Sequence, residues 1–186
     1  MRIVAGRWRG KTLADPGEGD PAAHLRPTTD RVRESLFNLL TNGRHGDLVT
    51  GARALDLFAG TGALGLEALS RGAVHATFVD DGGAARALLR DNIGRCSAQG
   101  VTKVFRRDAT DLGDIRGAPF DLVFLDPPYG KGLGEAAIAS AQAGGWLAPG
   151  ATLVWEEEAA PIPPPRFETL DARRYGGTTI TILRAP

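Results

Sequence analysis

The apolar residues of the chain fall into short runs and longer periodic stretches, which alternate after residue 51. Runs such as 54–58 and 120–125 are almost wholly apolar, as expected of strands buried on both faces, whereas the stretches between them have helical spacing. This alternation predicts a parallel sheet covered by helices on both faces. The predicted strands are 54–58, 73–79, 101–105, 120–125 and 152–155, and the predicted helices are 63–71, 84–96, 110–115 and 133–143.

The N-terminal part of the chain departs from this alternation. Extended segments at 2–5 and 8–13, interrupted by two glycines, predict a small hairpin, and residues 14–26 predict a loop. An amphipathic helix is then predicted, with cap residues at 27–30 and an end at Asn42, because its apolar residues recur every fourth position.

The C-terminal part departs as well. Segments 167–175 and 178–183, joined by two glycines, predict an antiparallel hairpin, and three glutamates at 156–158 predict a solvated strand end. A chain of 186 residues is long enough for one well-cored α/β domain and leaves little for a second. We therefore expect an N-terminal hairpin and helix, residues 1–50, attached to a main domain, residues 51–186.

Composition restricts the class of protein. The chain is 42% hydrophobic and 24% charged, and no apolar run approaches the length of a membrane span. Basic residues follow Met1 within the first few positions, so no signal peptide is expected. The single cysteine, Cys96, excludes a disulfide framework and a cysteine-built metal site. We expect a monomeric cytoplasmic protein with no metal and no membrane association.

The net charge is zero, but positive charge is concentrated near the N-terminus. A tryptophan among basic residues combines phosphate-binding charges with a stacking surface, which predicts contact with RNA. The alternatives are a tryptophan that attaches the hairpin to the main domain and helix arginines that face only solvent. The candidate nucleic-acid contacts are Arg7, Trp8, Arg9, Lys11, Arg26, Arg31 and Arg33.

A glycine-rich loop joins the first strand of the main domain to its helix. Gly60, Gly62 and Gly65 fit the pattern G-x-G-x-x-G, and Asp80 ends the next strand about 20 residues later. The pattern fits a dinucleotide such as NAD. It fits S-adenosylmethionine equally well, because glycines let a ligand approach the backbone and a carboxylate accepts from ribose hydroxyls.

Three features favour S-adenosylmethionine. Asp56 lies on the strand before the loop, where a buried acid would attract an amino group and repel a pyrophosphate. Asp108 follows the third strand and could accept from an adenine amine. The chain also has little room for the substrate domain and acid-base residue of a dehydrogenase. The candidate cofactor-binding residues are Asp56, Phe58, Ala59, Gly60, Gly62, Asp80, Asp108 and Ala109.

The tetrad Asp126-Pro127-Pro128-Tyr129 follows a predicted strand. Consecutive prolines have a fixed φ and no N–H donor, so the tetrad forms a rigid ledge of acceptors. A carboxylate beside a proline carbonyl can accept both N–H bonds of an exocyclic base amine, and a tyrosine ring can stack on the base. The alternative is a strand-to-loop turn in which the aspartate caps and the prolines end the strand.

These motifs together resemble a known group of enzymes. The loop Asp-Leu-Phe-Ala-Gly-Thr-Gly at 56–62 and the tetrad are similar to those of class I S-adenosylmethionine-dependent methyltransferases that act on an exocyclic base nitrogen. Segments 26–38 and 62–72 closely resemble the RsmD family, whose members methylate N2 of one guanine in small-subunit (16S) ribosomal RNA. The resemblance runs from Arg2 to the C-terminal hairpin and is strongest from residue 26 to residue 129.

The resemblance implies a Rossmann-like α/β fold with a seven-stranded, mostly parallel sheet, a reversed C-terminal hairpin and an N-terminal part that faces RNA. It implies S-adenosylmethionine as cofactor, S-adenosylhomocysteine as product, and ribosomal RNA in an assembled or assembling subunit as partner. The implied catalytic residues are Asp126, Pro127, Pro128 and Tyr129. Two other functions stay open: an adenine-N6 methyltransferase of DNA or RNA, and a non-catalytic RNA-binding assembly factor with the same fold.

Overall fold

The computed structural model describes residues 1–14 and 29–186. Within these residues there are seven strands and four α-helices. The strands are β1 (Arg53–Leu57), β2 (His75–Val79), β3 (Thr102–Phe105), β4 (Phe120–Leu125), β5 (Leu147–Glu157), β6 (Glu168–Tyr175) and β7 (Thr178–Arg184). The helices are α1 (Asp30–Asn42), α2 (Ala63–Ser70), α3 (Gly83–Arg95) and α4 (Leu133–Ala143).

All seven strands of the described chain form one sheet in the order β3-β2-β1-β4-β5-β7-β6. Strands β1 to β5 are parallel, whereas β7 is antiparallel to both of its neighbours. The predicted fold class, with its reversed C-terminal hairpin, is therefore confirmed. In the part of the chain that the structure describes, no helix is both long and apolar enough to cross a membrane.

One predicted helix does not form. Residues 110–115 make a turn and a loop, because their polar backbone groups bond to α4 and the segment after it. The Leu112 amide donates to Ser140 Oγ at 2.8 Å, and the Gly113 carbonyl accepts from Trp146 Nε1 at 2.7 Å. Gly113 also has a φ of 64°, which is incompatible with a continuing right-handed helix. Tertiary contacts therefore override the local helical pattern.

Two apolar cores lie on opposite faces of the sheet. The first core packs α1, α2 and α3 against side chains such as Ala54 and Leu122, and the second packs α4 against Leu55 and Val123. Successive residues of a strand point to opposite faces. This alternation places the side chain of Asp56 on the first face.

The N-terminal segment belongs to the first core rather than standing apart. An antiparallel bridge joins Arg2 to Thr12, so the predicted hairpin forms as a single bridge with turns. Ile3 is fully buried in the same core, and the rings of Phe37 and Phe124 lie 5.7 Å apart between α1 and β4. The division at residue 50 stays a prediction about how the sequence is organised.

A buried glutamate on α2 fastens this segment to the sheet domain. Glu67 is fully buried, and its two oxygens accept from the amides of Val4 at 2.8 Å and Ala5 at 3.0 Å. The same carboxylate pairs with Arg71 at 2.7 Å. A charged acceptor that serves two backbone donors is a strong hydrogen-bonding arrangement, so the segment has one defined place on α2.

The turn after these residues allows close approach to α2. Gly6 has a φ of 80°, and a Cβ there would lie 1.9 Å from the Ser70 carbonyl oxygen. The hydroxyl of Ser70 accepts from the Trp8 amide at 3.0 Å. Only glycine combines this conformation with this contact.

We predict that Glu67→Ala lowers the free energy of unfolding by about 3 kcal/mol, because two backbone donors and a buried guanidinium lose their acceptor. Chemical denaturation measures the loss, and hydrogen exchange should accelerate at the amides of Val4 and Ala5. Glu34→Ala, at an exposed position of α1, is the matched control. Equal stability of the two variants would contradict this role for Glu67.

Candidate active site

The carboxyl ends of three adjacent strands meet at one edge of the sheet. Leu57, the last residue of β1, pairs with Val79 of β2 on one side and Leu125 of β4 on the other. The glycine loop, Asp80 and Asp126 follow these three strand ends and are therefore neighbours at this edge. The strand order reverses between β1 and β4, and ligands of open α/β sheets bind in the crevice at such a point.

Asp80 ties the glycine loop to the next strand end. Its Oδ2 accepts from the Gly60 amide and its Oδ1 accepts from the Gly82 amide, both at 2.8 Å. The side chain is half-buried, and each carboxylate oxygen has a further lone pair that can accept. The residue can thus hold the loop and still accept from two hydroxyls of a ribose.

Asp56 is a buried acid near the carboxyl end of β1. Only 2% of the residue is exposed, and Oδ2 accepts from the Gly65 amide at 2.9 Å. Burial, reinforced by the charge of Asp80, raises the pKa of Asp56 to about 8 despite the bond from Gly65. An ammonium group would favour the ionised form of this acid, so the residue fits the amino-acid end of S-adenosylmethionine.

Two glycines of the loop are required by internal packing. A Cβ on Gly62 would lie 2.3 Å from Leu89 Cδ1, and one on Gly65 would lie 2.4 Å from Phe78 Cε1. Gly62 also has a φ of 76°. Besides the predicted approach of a ligand to the backbone, these two glycines therefore let α2 begin directly against the sheet and α3.

The other predicted cofactor residues lie at the same edge. Phe58 is half-buried with a φ of 59°, which is uncommon outside glycine, and Ala59 and Ala109 are buried. Asp108 is exposed, and its Oδ1 accepts from the amide and hydroxyl of Thr110 at 2.8 and 2.7 Å. These bonds lower the pKa of Asp108. It caps its own turn here, and its contact with adenine stays a prediction.

The tetrad directly follows β4. Pro127 is buried, and Asp126, Pro128 and Tyr129 are half-buried. Loss of hydration, followed by the charge of Glu156, raises the pKa of Asp126 well above its usual range. The Tyr129 hydroxyl donates to Glu156 Oε1 at 2.9 Å and lies 2.9 Å from Thr178 Oγ1. The tyrosine ring is therefore held from two strands, β5 and β7.

Glu156 contradicts the prediction of a solvated strand end. It is 8% exposed, and its carboxylate contacts the tetrad instead of solvent. A signal was available in the sequence, because side chains alternate along a strand and Glu156 stands two residues after the inward-facing Val154. Glu158, by contrast, is exposed as predicted.

The basic N-terminal surface is partly as predicted. Arg7, Arg9 and Lys11 are exposed. Trp8 is half-buried against the first core, with the Arg7 guanidinium 4.0 Å from its ring centroid. Trp8 thus attaches the segment to the domain, and its contact with RNA stays a prediction.

The two candidate arginines of α1 differ in their exposure to solvent. Arg31 is exposed, whereas Arg33 is fully buried, with Nη2 donating to Asp30 Oδ1 at 2.6 Å and to the Arg2 carbonyl at 2.5 Å. The bond to the Arg2 carbonyl holds Arg33 against the N-terminal segment, and the buried side chain is not accessible to RNA, so the prediction of direct RNA contact by Arg33 is wrong. Arg26 lies outside the described residues.

Within residues 1–14 and 29–186, no group of three or more His, Cys, Asp or Glu side chains is arranged to hold a metal ion.

Comparison with known proteins identifies the family. The model of the family described as Conserved hypothetical protein 95 matches residues 1–184. The chain belongs to this family, the RsmD family. The resemblance predicted from the sequence motifs is therefore confirmed.

Curated members of the RsmD family and solved structures support this assignment. The chain is 42% identical over 158 residues to Ribosomal RNA small subunit methyltransferase D of Escherichia coli strain K12, covering 85% of this chain and 75% of the relative. The protein of that name from Haemophilus influenzae is 39% identical over 162 residues, covering 85% and 79%. The solved structure of Escherichia coli yhhF aligns with a TM-score of 0.82 at 37% identity, covering 100% of this chain and 97% of that one.

The raised pKa of Asp56 predicts proton release on cofactor binding. At pH 7 the free acid is mostly protonated because its pKa is about 8, and a bound ammonium would ionise it. Binding of S-adenosylmethionine should release close to one proton, and affinity should rise between about pH 6 and pH 7.5, below the pKa of the ligand's own amino group. Calorimetry in buffers of different ionisation enthalpy measures this release.

Asp56→Asn is the control for that experiment, because an amide oxygen can still accept from the Gly65 amide. The variant should bind more weakly and release no proton from this position. The same proton release from both proteins would contradict the assignment.

Proposed function

We propose that this protein transfers a methyl group from S-adenosylmethionine to the exocyclic N2 of a guanine in small-subunit (16S) ribosomal RNA. The observation that carries the proposal is the position of the tetrad after β4, beside the β1 end that bears Asp56 and the glycine loop. The names of the relatives support ribosomal RNA as the substrate. The proposal includes a monomeric, cytoplasmic protein acting on an assembled or assembling subunit.

The crevice offers one acceptor for each polar part of the cofactor. Asp56 would take the ammonium group, Asp80 the ribose hydroxyls, and Asp108 the adenine amine. When bound, S-adenosylmethionine supplies an electrophilic methyl group on a sulfonium. The fit rests on the burial of Asp56, because a buried acid that accepts from the Gly65 amide would gain further from a cationic ligand.

The tetrad would orient the target amine. The lone pair of guanine N2 is delocalised into the ring, so Asp126 and the Pro127 carbonyl would accept its two N–H bonds and turn the lone pair toward the methyl donor. Tyr129, held by Glu156 and Thr178, would stack on the base, a contact worth roughly 1–3 kcal/mol. Asp126 or a water would take the proton that the methylated nitrogen releases.

One experiment separates this function from its alternatives. Labelled S-adenosylmethionine is incubated with unmodified small subunits and with naked ribosomal RNA, and the RNA is digested to nucleosides. We expect label in N2-methylguanosine. Label in N6-methyladenosine, or tight cofactor binding without transfer to either RNA, would contradict the proposal.

We predict that Asp126→Ala lowers kcat by at least roughly 10³-fold, because the amine loses its orienting acceptor and the proton its destination. The Kd for S-adenosylmethionine should stay within about threefold, since the tetrad is not its primary contact. Asp121→Ala, at an exposed position at the start of β4, should retain activity. Equal loss of cofactor binding and turnover in Asp126→Ala would reject the assigned role.

We also predict that the double reversal Arg7→Glu and Arg9→Glu weakens RNA binding and reduces the slope of log K against log salt by about 2, because two phosphate contacts are lost. Binding titrations over a salt series measure the slope. Reversal of the exposed Arg106 and Arg116 to glutamate is a charge-matched control. Equal slopes for the two double variants would exclude Arg7 and Arg9 as phosphate contacts.

A further inference from the structure

A second carboxylate reaches the predicted base-binding ledge from the neighbouring strand. Leu125 pairs with Trp155 in the parallel register of β4 and β5, so Asp126 and Glu156 occupy equivalent positions one residue further along. Glu156 is 8% exposed, and its Oε1 accepts from the Tyr129 hydroxyl at 2.9 Å. The glutamate is thus built into the same site as the tetrad.

The sheet does not require a carboxylate at this position. Glu156 lies opposite Ile180 in the β5–β7 ladder, at a position where an apolar side chain would pack against the first core. The carboxylate of Glu156 is buried, and its charge raises the pKa of Asp126, so the two acids act on each other. A group kept in such an environment is a candidate for a function that uses its acceptor.

Guanine and adenine differ in the group that lies next to the reacting amine. Beside the reacting N2, guanine presents N1–H, so this side of its Watson–Crick edge carries only donors. Adenine presents a lone pair on N1 beside its reacting N6. A site that surrounds the amine with acceptors suits the guanine edge, and it leaves the adenine N1 facing another acceptor.

We propose that Glu156 is the specificity-determining residue of this site: its carboxylate accepts the N1–H of the target guanine, while Asp126 and the Pro127 carbonyl accept from N2. The inference rests on the proposed function and adds the choice of base to it. The tetrad serves either amine, whereas an acceptor at N1 favours guanine. Tyr129 donates to the same carboxylate, so the stacking ring and Glu156 belong to one site.

The test alters N1 on the substrate and the acceptor on the enzyme. Once the modified guanine has been mapped, small subunits are reconstituted with ribosomal RNA carrying guanine or 2,6-diaminopurine at that position. The analogue keeps the reacting 2-amine but has a lone pair at N1. We expect wild-type protein to prefer guanine by roughly 10²-fold or more in kcat/KM, because the analogue leaves the carboxylate unmatched.

Glu156→Gln is the matching change in the enzyme. The amide can still accept from Tyr129, and it can present either an oxygen or an N–H to N1. The preference should therefore fall to within about tenfold. The analogue also carries an amine in place of the guanine O6. Any effect of that change on kcat/KM is common to both proteins, so it cancels when their preferences are compared.

Two further variants isolate the role of the charge. Glu158→Gln makes the same chemical change at an exposed position of the same segment and should keep the wild-type preference. Tyr129→Phe removes the hydroxyl that contacts Glu156 and should reduce kcat/KM on both bases by a similar factor, leaving the guanine preference within about threefold of wild type.

The outcomes are distinct. A wild-type protein that methylates guanine and 2,6-diaminopurine equally well overturns the inference without any variant, as does an unchanged preference in Glu156→Gln that retains its fold and S-adenosylmethionine binding. Absence of N2-methylguanosine from wild-type reactions would instead refute the proposed function itself. A preference lost in Glu156→Gln and kept in Glu158→Gln and Tyr129→Phe supports the inference.

Discussion

The position of β1 between β2 and β4 is the constraint on which the candidate site depends. Parallel pairing on both sides aligns the three carboxyl ends, since Leu57 is level with both Val79 and Leu125. The segments that follow these strands then share one crevice, although they are far apart in the sequence. A one-residue shift of β2 or β4 would turn the side chains of that strand to the opposite face and move Asp80 or Asp126 relative to the glycine loop.

The crevice contains several acids that influence one another. Burial raises the pKa of both Asp56 and Asp126, and the charges of neighbouring carboxylates raise both pKa values further. Such a group of acids destabilises the free protein. In the proposed complex, an ammonium group and several N–H donors would offset that cost, as expected for a cationic cofactor and a donor-rich base edge.

The N-terminal segment illustrates a different use of a buried acid. Glu67 lies in α2, the helix that starts at the glycine loop, and it holds the amides of Val4 and Ala5. The segment that carries the exposed Arg7 and Arg9 is therefore attached to the same helix that follows the glycine loop. Attachment to one rigid element gives these cations a defined place relative to the crevice.

The sequence by itself determined most of the elements, the alternating fold, the glycine loop and the tetrad, because periodicity and short motifs are local properties. It did not determine which polar side chains are buried. Arg33 and Glu156 were expected in solvent and are buried. Residues 110–115 form a loop because their backbone groups bond to α4 and to the segment after it. Gly62 and Gly65 likewise serve packing against Leu89 and Phe78. Each of these outcomes depends on a partner distant in sequence, which only the tertiary structure supplies.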